Sequence, residues 1–300
     1  MTLVAGIDIG GTKTAAGLVD ASGTVHARHT LPTPAADGPA AVVAAAVRAV
    51  RELSGPVTAV GVGSAGVVDP RSGRIVSATD ALPGWAGTEL RRDLERALGV
   101  PVAVDNDVHA HALGEAWLGA AAGHRHVLLV AAGTGIGGSL LIDGRVHHGA
   151  RSAAGHAGHV PVPSAAGIPC TCGGSGHVEA VASGPALLAA YATSASAPVS
   201  SLAEVSARAA GGEEAARRVL AGGARALGEA LGGIVNMTAP ELVLVGGGVS
   251  NCGPEWWEPL REAFAAELLP PLKDVELRRG ALGADAAVLG AARLALEAVR

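Results

Sequence analysis

Four residues in one short stretch carry the donor atoms of a metal site. His159, Cys170, Cys172 and His177 stand as H-x10-C-x-C-x4-H within 155–179, with glycines and prolines spaced to turn the chain between them. Two thiolates and two imidazoles suit zinc, which takes four soft or borderline ligands at tetrahedral corners. The spacing is not that of a zinc finger, and the competing reading is a pair of buried free thiols with surface histidines. His156 and Glu179 flank the four residues and point to a metal loop that shapes a polar pocket.

A second chemistry is phosphate binding. Asp8-x-Gly10-Gly11-Thr12-Lys13 places a carboxylate at the end of an apolar run, then backbone N–H groups freed by glycine, then a hydroxyl and a cation. Such a loop can cradle phosphate oxygens while Asp8 holds Mg2+ through water. It is not a Walker A loop, because G-x-x-x-x-G-K-[ST] is absent, and a plain hairpin turn would look the same. Gly133-Thr134-Gly135-Ile136-Gly137-Gly138 is a second loop of this kind. Gly61-x-Gly63-x-x-Gly66 has the literal dinucleotide spacing. However, 67–73 reads as strand and turn, where such a site requires a helix, so a nicotinamide cofactor is rejected.

Proton transfer is the third. In Asp105-Asn106-Asp107 a carboxylate ahead of a helix can take a proton from a hydroxyl, a step worth about 10²–10⁴-fold. The same run reads as a helix cap, with Asp105 turned inward to brace the loop. His109, His111, His124, His126, His147 and His148 show no ligand spacing and read as solvated or satisfied core residues. Cys252 reads as an ordinary free thiol.

The elements that must position these groups follow from hydrophobic period and turn residues. Runs 3–9, 15–19 and 25–31 predict an antiparallel meander, 39–53 a helix stopped by Gly55 and Pro56, and 58–63 a buried strand. A helix over 89–98, a strand over 101–104 and a helix over 108–118 come next. From about residue 126 the pattern restarts: strand 127–132, the loop 133–138, strand 139–142 and a turn at Asp143-Gly144. We read this as a weak internal duplication of a strand–turn–strand phosphate loop. Stretch 193–201 is a Ser/Ala/Pro linker, 202–236 is largely helical, 241–245 is a strand running into Gly246-Gly247-Gly248, and 284–299 is a final helix. Strands alternating with helices in two similar halves predict two α/β lobes around a cleft.

Composition bounds the rest. Among 300 residues, 49% are apolar but only 2% aromatic, so the core must be built from Ala, Val, Leu and Ile, with 44 glycines allowing close packing. A formal charge of -5 with no basic run excludes a general nucleic-acid surface. Three cysteines, two of them in C-x-C, do not make a disulfide framework. The start lacks a basic signal-peptide region, and the longest apolar run, 127–142, is broken by G-T-G-I-G-G. The expectation is a cytoplasmic protein with no membrane partner.

Taken together and in order, Asp8-x-Gly-Gly-Thr-Lys13, Asn106-Asp107, Gly133-Thr-Gly-x-Gly-Gly138, Gly155-His-x-Gly-His159 and Cys170-x-Cys-Gly-x-x-Gly-His-x-Glu179 resemble the ROK family of bacterial sugar kinases and repressors, over essentially the whole chain. The resemblance implies a two-lobed actin/hexokinase-like ATPase fold with ribonuclease H-like lobes. The smaller lobe spans 1–117, with helix 284–300 packing back on it, and the larger spans 118–283 with the zinc loop. It implies ATP and a hexose or N-acetylhexosamine in the cleft, Mg2+, one structural Zn2+, and a homodimer or homotetramer. By position, Asp107 would be the base on the sugar C6 hydroxyl. Gly66, Thr79, Asn106, His156, His159 and Glu179 would line the sugar. Asp8, Gly10, Gly11, Thr12 and Lys13 with Gly133, Thr134, Gly135 and Gly137 would hold phosphates and Mg2+, and Gly247 the nucleotide base region. Two positions depart from the family pattern. His177 replaces its third zinc cysteine, and His156 replaces the glutamate of the glucokinase motif G-E-x-G-H. A histidine at 156 is similar to bacterial N-acetylmannosamine kinases, so that sugar is the expected substrate and glucose the alternative. A non-catalytic sugar sensor or repressor is the reading of another class. The seven residues ahead of Asp8 are too few for the helix-turn-helix of family repressors.

Overall fold

The run Leu3–Ile9 lacks polar alternation because it is covered on both faces. It forms β1, the central strand of a five-stranded sheet in the computed structural model, which describes residues 2–79, 81–194 and 198–299. The chain falls into two compact units, residues 1–123 with 144–154 and 280–300, and residues 124–143 with 155–279.

In the first unit β1 pairs antiparallel with β2 (Lys13–Asp20), and β2 with β3 (Val25–Pro32). Helix α1 (Pro39–Arg51) starts with proline at its first turn, where a missing N–H costs nothing. It leads to β4 (Val60–Ser64), which pairs parallel with β1. A small hairpin, β5 (Val67–Asp69) and β6 (Arg74–Ser77), precedes α2 (Leu90–Leu98), which ends at the left-handed Gly99. Strand β7 (Val102–Asn106) pairs parallel with β4 and runs directly into α3 (Asp107–Leu118), giving the sheet order β3-β2-β1-β4-β7.

The second unit repeats this order. Strand β8 (Val127–Ala132) pairs antiparallel with β9 (Ile136–Ile142). Segment 144–154, which opens with β10 (Arg145–Val146), belongs to the first unit rather than with 118–283, because His148 and Ala154 bond to Asp105 and His109 there. Helices α4 (Glu179–Ala182), α5 (Gly184–Ser194), α6 (Leu202–Ala210) and α7 (Glu214–Thr238) precede β11 (Leu242–Gly246). Then follow α8 (Pro254–Glu267) and β12 (Glu276–Arg279). Strands β8 and β11 and strands β11 and β12 pair parallel, so β9-β8-β11-β12 reproduces β2-β1-β4-β7.

The last helix, α9 (Ala286–Ala298), belongs to the first unit. Its Leu289, Ala292, Ala295 and Leu296 pack with Val4, Val19 and Ala59 on one face of the sheet. On the other face Ile7, Ile9 and Leu18 meet Val42 and Val50 of α1 and Leu90 and Leu94 of α2. Each fully buried Leu or Ile contributes about 1.5–3 kcal/mol. The few aromatics concentrate inside, with Trp85, Trp256 and Tyr191 among the largest fully buried side chains.

Several elements differ from the sequence reading. Strand β9 begins at Ile136, so Gly137 and Gly138 are ladder residues rather than loop. The run 202–236 divides at Gly211-Gly212, where Gly212 takes a φ of 94°. Helix α8 carries Pro254 in its first turn and Pro259 inside, which hid it from a propensity reading, and the short, mostly exposed β12 has no apolar run. The linker expected over 193–201 falls partly on α5, and residues 195–197 lie outside the described residues.

Candidate active site and metal cluster

Registration of three parallel strands gathers the acidic groups of the first unit. Asp8 of β1 aligns with Gly63 of β4, Gly63 with Asp105 of β7, and Ser64 with Asn106. Asp8, Asn106 and Asp107 therefore stand at the carboxyl ends of β1 and β7 on either side of β4, the edge where open α/β sheets bind ligands. The turn after β1 is closed by Gly10 N–H donating to Lys13 O at 3.0 Å, and it leaves Thr12 and Lys13 exposed. Burial pushes the Asp8 carboxyl up to about 7, helped by the negative charge of Asp107 and opposed by Lys13. Burial also raises Asp107, the first residue of α3. Two desolvated carboxylates that repel each other beside one lysine fit a divalent cation, with Asp8 the residue to hold it.

Asn106 is the cap of α3. Its Oδ1 accepts from Val108 N–H at 2.9 Å and His109 N–H at 3.2 Å, and its Nδ2 donates to Gly66 O at 2.9 Å. The same side chain also bonds to the Asp107 carboxyl and opposes the effect of burial there. Gly66 takes a φ of 96°, and a Cβ there would lie 2.6 Å from Ser77 O, so only glycine suits this turn. Thr79 is exposed and its carbonyl accepts from Leu82 N–H at 3.2 Å.

In the second unit the same edge carries the other glycine loops. Gly246 aligns with Ala131, so Gly133 and Gly247 follow the carboxyl ends of adjacent strands. Gly133 N–H donates to Gly135 O at 2.8 Å, leaving Thr134 and Gly135 exposed, as the turn after β1 leaves Thr12 and Lys13. An exposed hydroxyl beside free backbone N–H groups fits a phosphate.

The four residues read as metal ligands converge. One donor atom from each of His159, Cys170, Cys172 and His177 lies within 4.8 Å of the others. Cys170 Sγ is 3.6 Å from His159 Nδ1 and Cys172 Sγ 3.2 Å from His177 Nδ1. This soft, mixed donor set fits zinc, with His177 filling the fourth corner. His156 is exposed, and its ring stacks on that of His159 at 6.2 Å between centroids. Glu179 is buried beside the cluster. Its Oε2 accepts from Ile136 N–H at 2.7 Å and its Oε1 from Thr171 Oγ1 at 2.6 Å, which ties the cluster to the start of β9.

Sequence reasoning missed one group. Asp105 is buried and bonded to both His109 and His148, two histidines read as having no ligand spacing. The i, i+4 spacing of Asp105 and His109 was the one available signal, and it crosses a strand–helix junction.

Comparison with known proteins rests on this geometry. The model of the ROK family matches residues 4–298. The chain belongs to the ROK family. A glucokinase of Halalkalibacterium halodurans is 33% identical over 95% of this chain and 92% of its own length. An N-acetylmannosamine kinase of Escherichia fergusonii is 33% identical over 98% of each chain. The ROK family glucokinase of Streptomyces griseus, solved in complex with glucose and AMPPNP, superposes with a TM-score of 0.84 at 31% identity, covering 98% of this chain and 99% of that one. The α/β fold is thus the actin-like ATPase fold of ROK sugar kinases. Among the described residues no helix is long and apolar enough to cross a membrane.

Proposed function

We propose that this ATP-dependent sugar kinase transfers the γ-phosphoryl group to the C6 hydroxyl of a hexose, with N-acetylmannosamine preferred over glucose. The observation that carries the phosphotransfer reading is the pair Asp8 and Asp107, two desolvated carboxylates at the ends of β1 and β7, which flank β4. Asp107 accepts the hydroxyl proton, its raised pKa bringing it nearer to the working pH of a general base. Asn106, which bonds to Gly66 O and to the Asp107 carboxyl, contacts the sugar beside them, and Gly66 and Thr79 line the same pocket. Asp8 holds the cation, and the backbone of Gly10–Lys13 and Gly133–Gly137 binds phosphate oxygens, with Gly247 near the base. Mg2+, when bound, neutralises the charge of the phosphoryl oxygens. His159 and Glu179 contact sugar hydroxyls from beside a structural zinc.

The substrate preference rests on His156. An imidazole in place of a carboxylate removes a negatively charged acceptor for one ring hydroxyl and leaves a bulkier ring face, stacked on His159. ATP consumption with Mg2+ against N-acetylmannosamine, glucose, mannose and N-acetylglucosamine tests this, with the first expected to give the highest kcat/KM. His156→Glu is expected to move the ratio of kcat/KM values toward glucose by about tenfold or more, the scale of one hydrogen bond to a charged group. A wild-type preference for glucose, unaltered in that variant, would overturn the assignment.

Cys170→Ser tests the zinc. We expect the purified variant to lose the bound metal and to melt several degrees lower, about 2–4 °C for each kcal/mol of binding lost. Zinc content by mass spectrometry and a thermal melt check both, and unchanged values would remove the metal from this loop.

A further inference from the structure

Three side chains given no part in phosphotransfer converge in the first unit. Asp105 is the penultimate residue of β7, His109 occupies the first turn of α3, and His148 comes from segment 144–154. Asp105 and His109 are 2% and 3% exposed, whereas the His148 side chain is 28% exposed. Asp105 Oδ1 is 2.8 Å from His109 Nδ1, and Oδ2 is 2.8 Å from His148 Nε2. The two imidazoles meet edge to face, with centroids 5.1 Å apart. One donor atom of each residue lies within 4.8 Å of the others.

The orientation of His109 carries the argument. Its Nε2 is 3.3 Å from the carbonyl oxygen of Ala154, which only accepts, so Nε2 bears the hydrogen. Nδ1 then faces a carboxylate oxygen, an acceptor, at 2.8 Å. Such a contact requires a positive charge on the Asp105 side of the ring. A ring nitrogen donating to a backbone carbonyl while the other faces inward is also how proteins orient a metal-bound histidine.

The surroundings suit a divalent cation. Asp105 also accepts from Asn106 N–H at 2.7 Å, which holds its carboxylate in place. Asp107 follows two residues later and Asp8 feels its charge, so negative groups cluster at this edge with Lys13 opposing them. The second imidazole occupies the other carboxylate oxygen from the open side, where water can reach the site. Two imidazoles and one carboxylate with room for water is a donor set for first-row divalent metals.

We propose that Asp105, His109 and His148 form a second transition-metal site that takes a zinc-class divalent cation and fastens segment 144–154 to the start of α3. It shares no ligand with the cysteine cluster, and it stands whatever sugar the enzyme uses.

The full-length protein, stripped with a chelator and titrated with Co2+, tests this. With excess Mg2+ present to occupy the Asp8 site, wild type is expected to bind two equivalents. The cysteine cluster would show thiolate-to-cobalt charge transfer, and the second site would show ligand-field bands alone. His148→Gln, at the open edge where glutamine can still reach Asp105, should lose one equivalent and keep the charge-transfer band. The double variant Cys170→Ser/Cys172→Ser should lose that band and retain one equivalent. A wild type that binds a single equivalent, or a double cysteine variant that binds none, overturns the site and leaves a protonated hydrogen-bonded cluster. So does a His148→Gln protein with undiminished cobalt.

Discussion

Asp107→Asn is expected to lower kcat by about 10²–10⁴-fold, the contribution of a positioned general base, with the sugar dissociation constant altered only a few-fold. The substitution keeps size and shape. Asparagine Oδ1 can still accept from Val108 N–H, the 2.9 Å bond that Asp107 makes at the first turn of α3, and Asn106 still caps the helix. The proton acceptor alone is removed. Removing it also relieves the charge that burial and Asp8 make unfavourable, so the variant should fold at least as stably as wild type. Steady-state kinetics beside calorimetric sugar binding separates the two effects, and turnover retained at the wild-type level would end the role of Asp107 as base.

Gly290→Ala is expected to cost about 3 kcal/mol or more, from the upper end of overpacking costs upward. Helices α3 and α9 touch at backbone distance. A Cβ on Gly290 would lie 1.6 Å from Ala110 O and 2.7 Å from Gly114 N, and one on Gly114 would lie 2.1 Å from Ala286 O. A Cβ has no rotamer by which to escape, so the helices must part. Because α3 begins with Asp107, parting them should also lower kcat. Gly222→Ala in α7 is the control: its Cβ would meet nothing within 4 Å, and alanine there should stabilise by about 0.5–1 kcal/mol. Denaturant unfolding of both variants checks the contrast, and equal stabilities would mean that the α3–α9 contact is looser than described.

Much of the scaffold was legible because short-range rules governed it. Strands β1, β4, β8 and β11 are buried runs of Val, Leu, Ile, Ala and Gly, and proline or glycine marks the ends of α1 and α2. Helix α8 and strand β12 were not legible. Burial of Trp256, Trp257 and Phe264 holds α8 in place despite its inner proline, and pairing with β11 makes a strand of an exposed Glu-Leu-Arg-Arg.

The same division applies to the site. Rare residue types at close spacing identified the Cys170–Cys172 pair with its histidines, and an acidic residue after an apolar run identified Asp8 and Asp107, since local order alone places them at loop and strand ends. By itself the sequence therefore determined the family and the four Cys and His residues whose donor atoms converge. Only the tertiary structure decided which carboxylates repel one another, that both Glu179 oxygens are engaged from β9 and Thr171, and that His148 reaches Asp105 across 43 positions of chain. The physical reason is strand register: parallel pairing of β1, β4 and β7 brings Asp8, Asp105 and Asp107 to one edge, and no local propensity encodes the partner of a strand.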